Sequence, residues 1–199
     1  LAYLDGTLPA DHPFAPLADH LPGKPGVPEV WLLGSSPDSA AWAAETGLPY
    51  CFADFIGGDG SAIVHHYRAA FAASRNRAAP EAAVAVWAIC ADSVTEAERL
   101  AASGRMMLAH LLMGQLIPVP HPDEAQAWLA AHPQAAALPQ RRIVTGSPAM
   151  VKDALERIAR DYGAGEVMLV NILHDHAARV RSYELVARAF DLNTAARAA

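Results

Sequence analysis

Two stretches of the sequence place glycine and serine directly between an apolar run and a helix-forming run. The first is Gly34-Ser35-Ser36-Pro37, and the second is Gly146-Ser147-Pro148. The first turn of a helix has unpaired N–H groups and a partial positive charge, so it can bind an anion. Glycine lets an anion approach the backbone and serine adds a hydroxyl donor, as a phosphate site requires. The same residues are also ordinary helix caps, and the motif alone leaves both interpretations open.

Two titratable residues follow apolar runs and are candidates for acid-base chemistry. Asp54 ends the run "YCFAD", where a carboxylate needs a partner; it either contacts substrate or caps the Gly-Gly-Asp-Gly loop that follows. His174 comes just after the run "EVMLVNIL", and an imidazole titrates near neutrality. Its alternative is plain packing or solvent exposure, with Asp175 capping the last helix. We take Asp54 and His174 as the catalytic candidates.

The histidines and cysteines do not predict a metal site. His65 and His66 are neighbours on a predicted helix, where successive side chains point about 100° apart, so they cannot chelate as a unit. No zinc-type Cys/His spacing and no His-Glu-x-x-His motif occurs among the nine histidines and two cysteines. Cys51 and Cys90 sit in apolar runs and are predicted to be buried, reduced thiols, which fits a cytoplasmic protein.

The apolar runs and their punctuation predict alternating strands and helices. Ser36 is the expected N-cap of the first long helix, with Pro37 at its first position and Gly47 after its end. A short helix at 121–132 belongs to an inserted segment. We predict four strands, at 29–34, 48–55, 82–92 and 166–172, with a shorter apolar run before Gly146, and further helices at 61–75, 93–114, 148–162 and 175–190.

This alternation predicts an α/β fold with parallel strands. A closed (β/α)8 TIM-type barrel averages about 250 residues, so four βα units in this 199-residue chain correspond to half a barrel with an inserted helical segment. A doubly wound sheet is the competing architecture, but no strand is followed by G-x-G-x-x-G. We predict one domain over 1–199, with a proline-rich connecting segment at 1–29 and the βα units at 30–199.

Composition excludes several classes of protein. The net charge is −6, and no basic run or stripe predicts nucleic-acid binding. No apolar run reaches the roughly 18 residues of a membrane span. The opening "LAYLDG" reads as the last turn of a helix, so we expect the chain to be a piece of a longer protein.

Three long blocks of the sequence resemble one family. They are "VWLLGSSPDSAAWAAETGLPYCFADF", "VTGSPAMVKDALERIARDYGAGEVMLV" and "HDHAARVRSYELVARAF". Their order and spacing are similar to the C-terminal half of bacterial-luciferase-like flavin-dependent monooxygenases. The resemblance implies a TIM-type barrel that binds FMN at the carboxyl ends of its strands.

The resemblance also implies roles for particular residues and partners. The FMN phosphate would bind at Gly34, Ser35 and Ser36, through the hydroxyl of Ser36 and the backbone N–H of Ser35. Leu33 would lie under the ribityl chain, and Asp54 would face the flavin or substrate pocket. Reduced FMN from a flavin reductase or NAD(P)H, together with O2, would oxygenate a small organic substrate such as an aldehyde. Family members often pair, so we expect a homodimer.

Two other functions remain open at this point. The family's first four strands have no counterpart in this sequence, so the chain could be a non-catalytic flavin-binding or scaffolding half-barrel that pairs with another subunit. It could also be a phosphate-binding barrel enzyme acting on sugars or nucleotides. That function would need an acid-base pair at the strand ends, for which Asp54 and His174 are the candidates.

Overall fold

The chain divides into two compact units, Leu1–Trp31 and Leu32–Ala199. The computed structural model describes residues 1–18, 20–21, 26, 28–74, 77–138 and 141–192. Its described residues in the first unit form two single-turn helices, α1 (Ala2–Asp5) and α2 (Ala15–Ala18). Part of the predicted connecting segment, at 19, 22–25 and 27, lies outside the described residues.

Within the described residues, the second unit is built on five parallel strands. They are β1 (Leu32–Gly34), β2 (Tyr50–Ala53), β3 (Ala82–Cys90), β4 (Val144–Gly146) and β5 (Glu166–Val170). β1 pairs with β2, β2 with β3, and β3 with β5, so these four strands follow chain order without a reversal. A doubly wound sheet reverses its order at a switch point, and these four strands do not. The prediction of an α/β fold with parallel strands is confirmed.

The helices begin and end where capping residues allow. Ser36 is the N-cap of α3, Pro37 is its first residue, and Gly47 ends it with φ 62°, as predicted. β2 is shorter than predicted because Asp54 already starts a one-turn helix, α4. The helices of this unit are α3 (Pro37–Thr46), α4 (Asp54–Gly57), α5 (Ser61–Ala70), α6 (Val94–Leu112), α7 (Pro122–Ala131), α8 (Pro148–Tyr162) and α9 (His176–Ala189), with a 3-10 turn at Pro133–Ala137.

β3 is the centre of the core, and all nine of its residues are buried. Side chains alternate between the faces of a strand. Val84 and Val86 pack into a cluster with residues of α3, α5, α8 and α9. Trp87 and Ile89 pack on the opposite face in a cluster with residues of α6. Both faces are therefore covered, as the unbroken apolar run of β3 predicts for a parallel sheet.

The short strand β4 pairs with the last three residues of β3. The carbonyl of Glu81 faces β2, accepting from Tyr50 N–H at 3.0 Å, and the N–H of Ala91 faces β4, donating to Gly146 at 3.2 Å. Residues an even number apart point their backbone groups toward the same edge of a strand. β4 therefore continues the line of β2 beyond the carboxyl end of β2, while β5 occupies the other edge of β3.

Three strands each have one unpaired edge within the described part of the chain. β1 pairs only with β2, and β4 and β5 each pair only with β3. Leu33 on β1 is 56% exposed, and Met168 on β5 is 51% exposed. Exposed parallel edges with apolar side chains are typical of a sheet that takes further strands.

Candidate functional site

The turn between β1 and α3 is closed by a reciprocal pair of serines. The Ser36 hydroxyl oxygen accepts from the N–H of Ser39 at 3.3 Å, and the Ser39 hydroxyl oxygen accepts from the N–H of Ser36 at 3.3 Å. The Ser39 hydroxyl also donates to the Ser36 carbonyl at 2.8 Å. Ser36 therefore caps α3. Our sequence analysis missed Ser39, although the Ser-x-x-Ser spacing is close to that of a capping box.

Gly34 is required by packing within this turn. An ideal Cβ on Gly34 would lie 2.2 Å from the hydroxyl oxygen of Ser39, so a larger residue would displace the serine. The Tyr50 hydroxyl lies 2.9 Å from Ser39 Oγ and donates to the Gly34 carbonyl at 3.2 Å. Burial raises the pKa of Tyr50, which keeps this phenol neutral. These contacts hold β1, β2 and the start of α3 in one rigid arrangement.

Three donors at this turn remain without a partner among the described residues. They are the N–H of Ser35, the hydroxyl of Ser35 and the N–H of Asp38, and we call them the seam donors. Leu32 packs on the helix-covered face, so Leu33 points to the opposite face, where it is exposed. The seam donors and Leu33 together can bind an anionic group joined to an apolar one. The carboxylate of Asp38, in the first turn of α3, opposes a second negative charge there.

Asp54 is fully buried at the carboxyl end of β2. Its Oδ1 accepts from the hydroxyl of Tyr162 at 2.7 Å and lies 3.5 Å from a guanidinium nitrogen of Arg142. Its Oδ2 is buried without a hydrogen-bond partner in the described part of the chain. Burial raises the pKa of Asp54, and the hydrogen bond from Tyr162 and the charge of Arg142 only partly oppose that shift.

Tyr162 joins α8 to the chain segment that follows β2. Its hydroxyl accepts from the N–H of Gly60 at 2.6 Å, in addition to its hydrogen bond to Asp54. The 54–60 segment lies beside the turn between β1 and α3, as an ideal Cβ on Gly57 would be 3.4 Å from Cβ of Ser35. The structure thus brings Asp54 and Ser35 into one neighbourhood. Tyr162 and Arg142 were missed from the sequence.

His174 lies apart from these contacts. Its side chain is exposed, its Nδ1 lies 2.9 Å from the carbonyl of Val119, and its ring meets that of His121 edge-on at 5.4 Å. Asp175 caps α9 by accepting from Ala178 N–H at 2.7 Å, as expected. Among the contacts of the described residues, none joins His174 to Asp54 or to the seam donors.

The second glycine-serine turn, at Gly146-Ser147, differs from the first in its capping. Ser147 is the N-cap of α8 but makes no side-chain capping hydrogen bond. Gly146 has φ 151°, and an ideal Cβ there would lie 3.1 Å from Cβ of Met150. A polar cavity of about 530 Å³ adjoins β4 and α8, with Arg142 and Arg157 in its lining.

The histidines and cysteines considered in the sequence form no metal site and no disulfide in the described part of the chain. No three His, Cys, Asp or Glu side chains there are grouped so as to hold a metal ion. Cys51 and Cys90 are buried and unbridged, and burial raises the pKa of each thiol to about 11. Nor is any helix in these residues both long and apolar enough to cross a bilayer.

Fold and site together define an α/β protein in which β1, β2, β3 and β5 are parallel and follow chain order, and in which β1 is followed by a turn with three donors that have no partner among the described residues. Residues 7–165 match the family model described as luciferase-like monooxygenase. The chain belongs to the luciferase-like monooxygenase family, and the resemblance found in the sequence is confirmed.

Relatives and solved structures agree with this assignment. The protein YwcH of Bacillus subtilis is 37% identical over 171 residues, which are 82% of this chain and 50% of the relative. A luciferase-like monooxygenase of Escherichia coli K12 is 34% identical over 172 residues, 83% of this chain and 51% of the relative. The chain spans about half the length of the curated relatives it matches.

Among solved structures, apo-MsnO8 is 37% identical with a TM-score of 0.80, covering 86% of this chain and 54% of that one. The oxygenating constituent of 3,6-diketocamphane monooxygenase from Pseudomonas putida, solved with FMN, is 19% identical with a TM-score of 0.54. The match covers 81% of this chain and 48% of the Pseudomonas putida protein, and at this identity it shows a shared fold alone.

Proposed function

We propose that this chain is part of a cytoplasmic, FMN-dependent monooxygenase and that it holds the phosphate end of the flavin. The observation that carries the proposal is the group of seam donors beside the exposed Leu33. Three uncommitted donors at a helix N-terminus suit a phosphate, and an apolar side chain next to them suits the carbon chain of a ribityl phosphate. The FMN-bound structure of a protein with the same fold supports the choice of ligand.

The residues of the turn fit this ligand. The N–H and hydroxyl of Ser35 and the N–H of Asp38 would donate to the phosphate oxygens. The Ser36 hydroxyl, which donates to Ser39 Oγ at 3.4 Å, would turn its proton toward the phosphate as a further donor. Gly34 would keep the turn tight, and Leu33 would pack under the ribityl chain. When bound, reduced FMN supplies the chemistry that transfers one atom of O2 to an organic substrate.

The catalytic candidates would act on the substrate side of this site. The buried Oδ2 of Asp54 has no hydrogen-bond partner among the described residues, so it can hold a proton there. His174 would exchange protons at the rim. An aldehyde or a similar small molecule would be the substrate, a flavin reductase or NAD(P)H would supply electrons, and the protein would work as a homodimer.

The unpaired edges of β1 and β5 bear on how the barrel is completed. We propose that four further parallel strands close it and supply the rest of the flavin pocket. The same edges favour the alternative, in which the chain is a scaffolding half-barrel that pairs with another subunit and has no turnover of its own. In both cases the apolar edges would be covered.

The test compares FMN with riboflavin, which lacks the phosphate. Titration followed by flavin fluorescence should show that the chain binds FMN more tightly than riboflavin. Ser35→Ala should remove most of one charge-assisted contact, worth about 1.5 to 3 kcal/mol, from FMN binding and leave riboflavin binding unchanged. Ser36→Ala should weaken FMN binding and also destabilise α3 by about 1 kcal/mol through loss of its cap.

Ser147→Ala is the matched control, since Ser147 also precedes a helix-starting proline and belongs to the second turn. It should leave FMN affinity unchanged. Equal affinity for FMN and riboflavin would contradict the phosphate assignment. Tight FMN binding without substrate turnover in the complete assembly would favour the scaffolding function. Displacement of FMN by a sugar phosphate that the protein converts would favour the third function.

A further inference from the structure

The hydroxyl of Tyr162 is placed at the centre of the 54–60 segment, although the residue is more than a hundred positions away in sequence. It donates to Asp54 Oδ1 at 2.7 Å, accepts from Gly60 N–H at 2.6 Å and lies 3.3 Å from the Gly58 carbonyl. We call these three contacts the Tyr162 clamp. They join the last residue of α8 to both ends of the turn after β2.

The residues of the Tyr162 clamp are tightly packed. Tyr162 and Asp54 are both fully buried, and the Tyr162 ring packs against Phe52 with ring centroids 5.6 Å apart. An ideal Cβ on Gly60 would lie 1.9 Å from the Phe52 ring, so the backbone of the segment rests directly on that ring. The Phe52 ring therefore prevents the segment from moving toward the sheet, and the hydrogen bonds of the Tyr162 hydroxyl oppose movement away from it.

The clamp also balances the charge of Asp54. A buried carboxylate is unfavourable unless it is paired and hydrogen-bonded. Oδ1 has the Tyr162 hydroxyl at 2.7 Å and Arg142 at 3.5 Å, whereas Oδ2 has no partner among the described residues. Without the hydroxyl, Asp54 would keep only the longer contact to a partly exposed arginine, and the carboxylate would turn or move toward water.

The 54–60 segment lies beside the turn between β1 and α3, which carries the seam donors. Gly57 lies close to Ser35, with 3.4 Å from an ideal Cβ to Ser35 Cβ and 3.5 Å to the Ser35 carbonyl. Ser35 provides two of the three seam donors. A shift of the 54–60 segment therefore changes the room beside those donors.

We propose that Tyr162 is a positioning residue for the flavin site: through its clamp it fixes the 54–60 segment and Asp54, and thereby the geometry of the seam donors at Ser35. The inference rests on the proposed function for its ligand. Its effect on the segment itself does not depend on a ligand.

Tyr162→Phe tests the proposal, because phenylalanine keeps the ring that packs on Phe52 and removes only the hydroxyl. Tyr67→Phe is the matched control. Tyr67 is equally buried, and its hydroxyl also makes several backbone contacts, to Leu48 O at 2.9 Å and Glu81 O at 3.0 Å. None of those contacts involves the 54–60 segment, so the control reports the cost of losing a buried phenol hydroxyl alone.

Two measurements on the full 199-residue chain separate positioning from general stability. Native-state hydrogen exchange should show faster exchange at the hydrogen-bonded amides of Gly58, Gly60 and Ser36 in Tyr162→Phe, but not in Tyr67→Phe at the same overall stability. FMN affinity should fall about tenfold in Tyr162→Phe, the size expected when charge-assisted contacts are misplaced, and less than twofold in Tyr67→Phe.

The outcomes are distinguishable. If wild type binds FMN and the two variants lose the same affinity, Tyr162 is a core residue only and the proposal is overturned. If exchange at Ser36, the protected amide next to Ser35, is unaffected by Tyr162→Phe, the proposal is overturned as well. If wild type binds no FMN but Tyr162→Phe selectively speeds exchange at Ser36, the positioning of the turn is supported and the proposed flavin function is what fails.

Discussion

At the scale of single residues, the site separates side chains that shape the turn from those that are free to bind. Ser36 and Ser39 satisfy each other, and Gly34 is small because Ser39 occupies the space its Cβ would need. Ser35 contributes to none of this internal network. The proposed phosphate contact therefore depends on Ser35, the serine that the capping pattern does not use.

Asp54 should give the stability of the chain a measurable pH dependence. Burial raises the pKa of Asp54 above its ordinary value of 3.8, so the folded chain holds this proton more tightly than the unfolded chain. Its stabilising effect is complete below that ordinary pKa and is lost as the pH rises through the higher folded-state value. Asp54→Asn does not titrate, so it should gain on wild type by about 1.4 kcal/mol per pH unit within that window.

Denaturant unfolding of both proteins over a pH series that rises from 3.8 measures the difference, and parallel curves for the two would contradict it. Asp59→Asn is the control on the same segment. A hydrogen bond from the Ser61 N–H lowers the pKa of Asp59, so its titration window lies below 3.8 and this variant should run parallel to wild type across the series.

At the scale of elements, the sequence predicted the strands and helices well where the signal was local. Ser36, Pro37 and Gly47 bound α3 as expected, and the apolar run of β3 has both faces buried. The prediction was less accurate at the carboxyl end of β2, because it continued the strand through residue 55 whereas α4 begins at Asp54. An apolar run does not show where its backbone turns from strand to helix.

The contacts that build the site are long-range, and this is why the sequence did not predict them. Tyr162 and Asp54 are 108 residues apart, and nothing in the spacing of either residue points to the other. The Ser182 hydroxyl likewise accepts from Cys90 N–H at 2.9 Å across 92 residues. Only the short-range part of the site, the turn at Gly34 to Ser39, was within reach of pattern reasoning.

The packing of α6 on β3 depends on one glycine. An ideal Cβ on Gly104 would lie 2.3 Å from Cζ2 of Trp87, whose ring is buried. Gly104→Ala should force the helix away from the indole and destabilise the chain by about 1 to 3 kcal/mol, less the ~1 kcal/mol that alanine gains in helix propensity.

Urea unfolding and the near-ultraviolet circular dichroism of Trp87 would measure this effect. Gly165→Ala is the control, because an added Cβ there meets nothing within 4 Å. Its stability should stay within about 0.5 kcal/mol of wild type. A Gly104→Ala variant as stable as the control would show that α6 can move without cost.

At the scale of the whole molecule, β1 and β5 each have one unpaired edge within the described residues. The βα alternation in the sequence predicted parallel strands, but it predicted neither their order nor these edges. The resemblance supplied the expectation of a barrel, and the matched relatives are about twice as long as this chain.

The open edges should make the isolated chain self-associate. Met168 is on β5 and is 51% exposed, and charged residues on edge strands oppose the addition of further strands. Met168→Lys should therefore shift the chain from dimer toward monomer in size-exclusion chromatography with light scattering. Val180→Lys on α9, where the valine is 42% exposed, introduces the same charge away from the sheet edge and should leave association unchanged. A monomeric wild type would contradict this prediction.

The chain leaves β3 at Cys90 and, after two helices, returns to the same strand at β4. Both ends of this excursion are therefore anchored on one scaffold element, and the registers of β1, β2 and β5 do not depend on its length. Because α6 itself packs on Trp87 of β3, the part of this excursion after α6 is the natural place for homologous proteins to diverge by insertion or deletion, and for an engineer to insert foreign sequence. The return to β3 is possible because that strand has nine residues and therefore room for two partners along one edge.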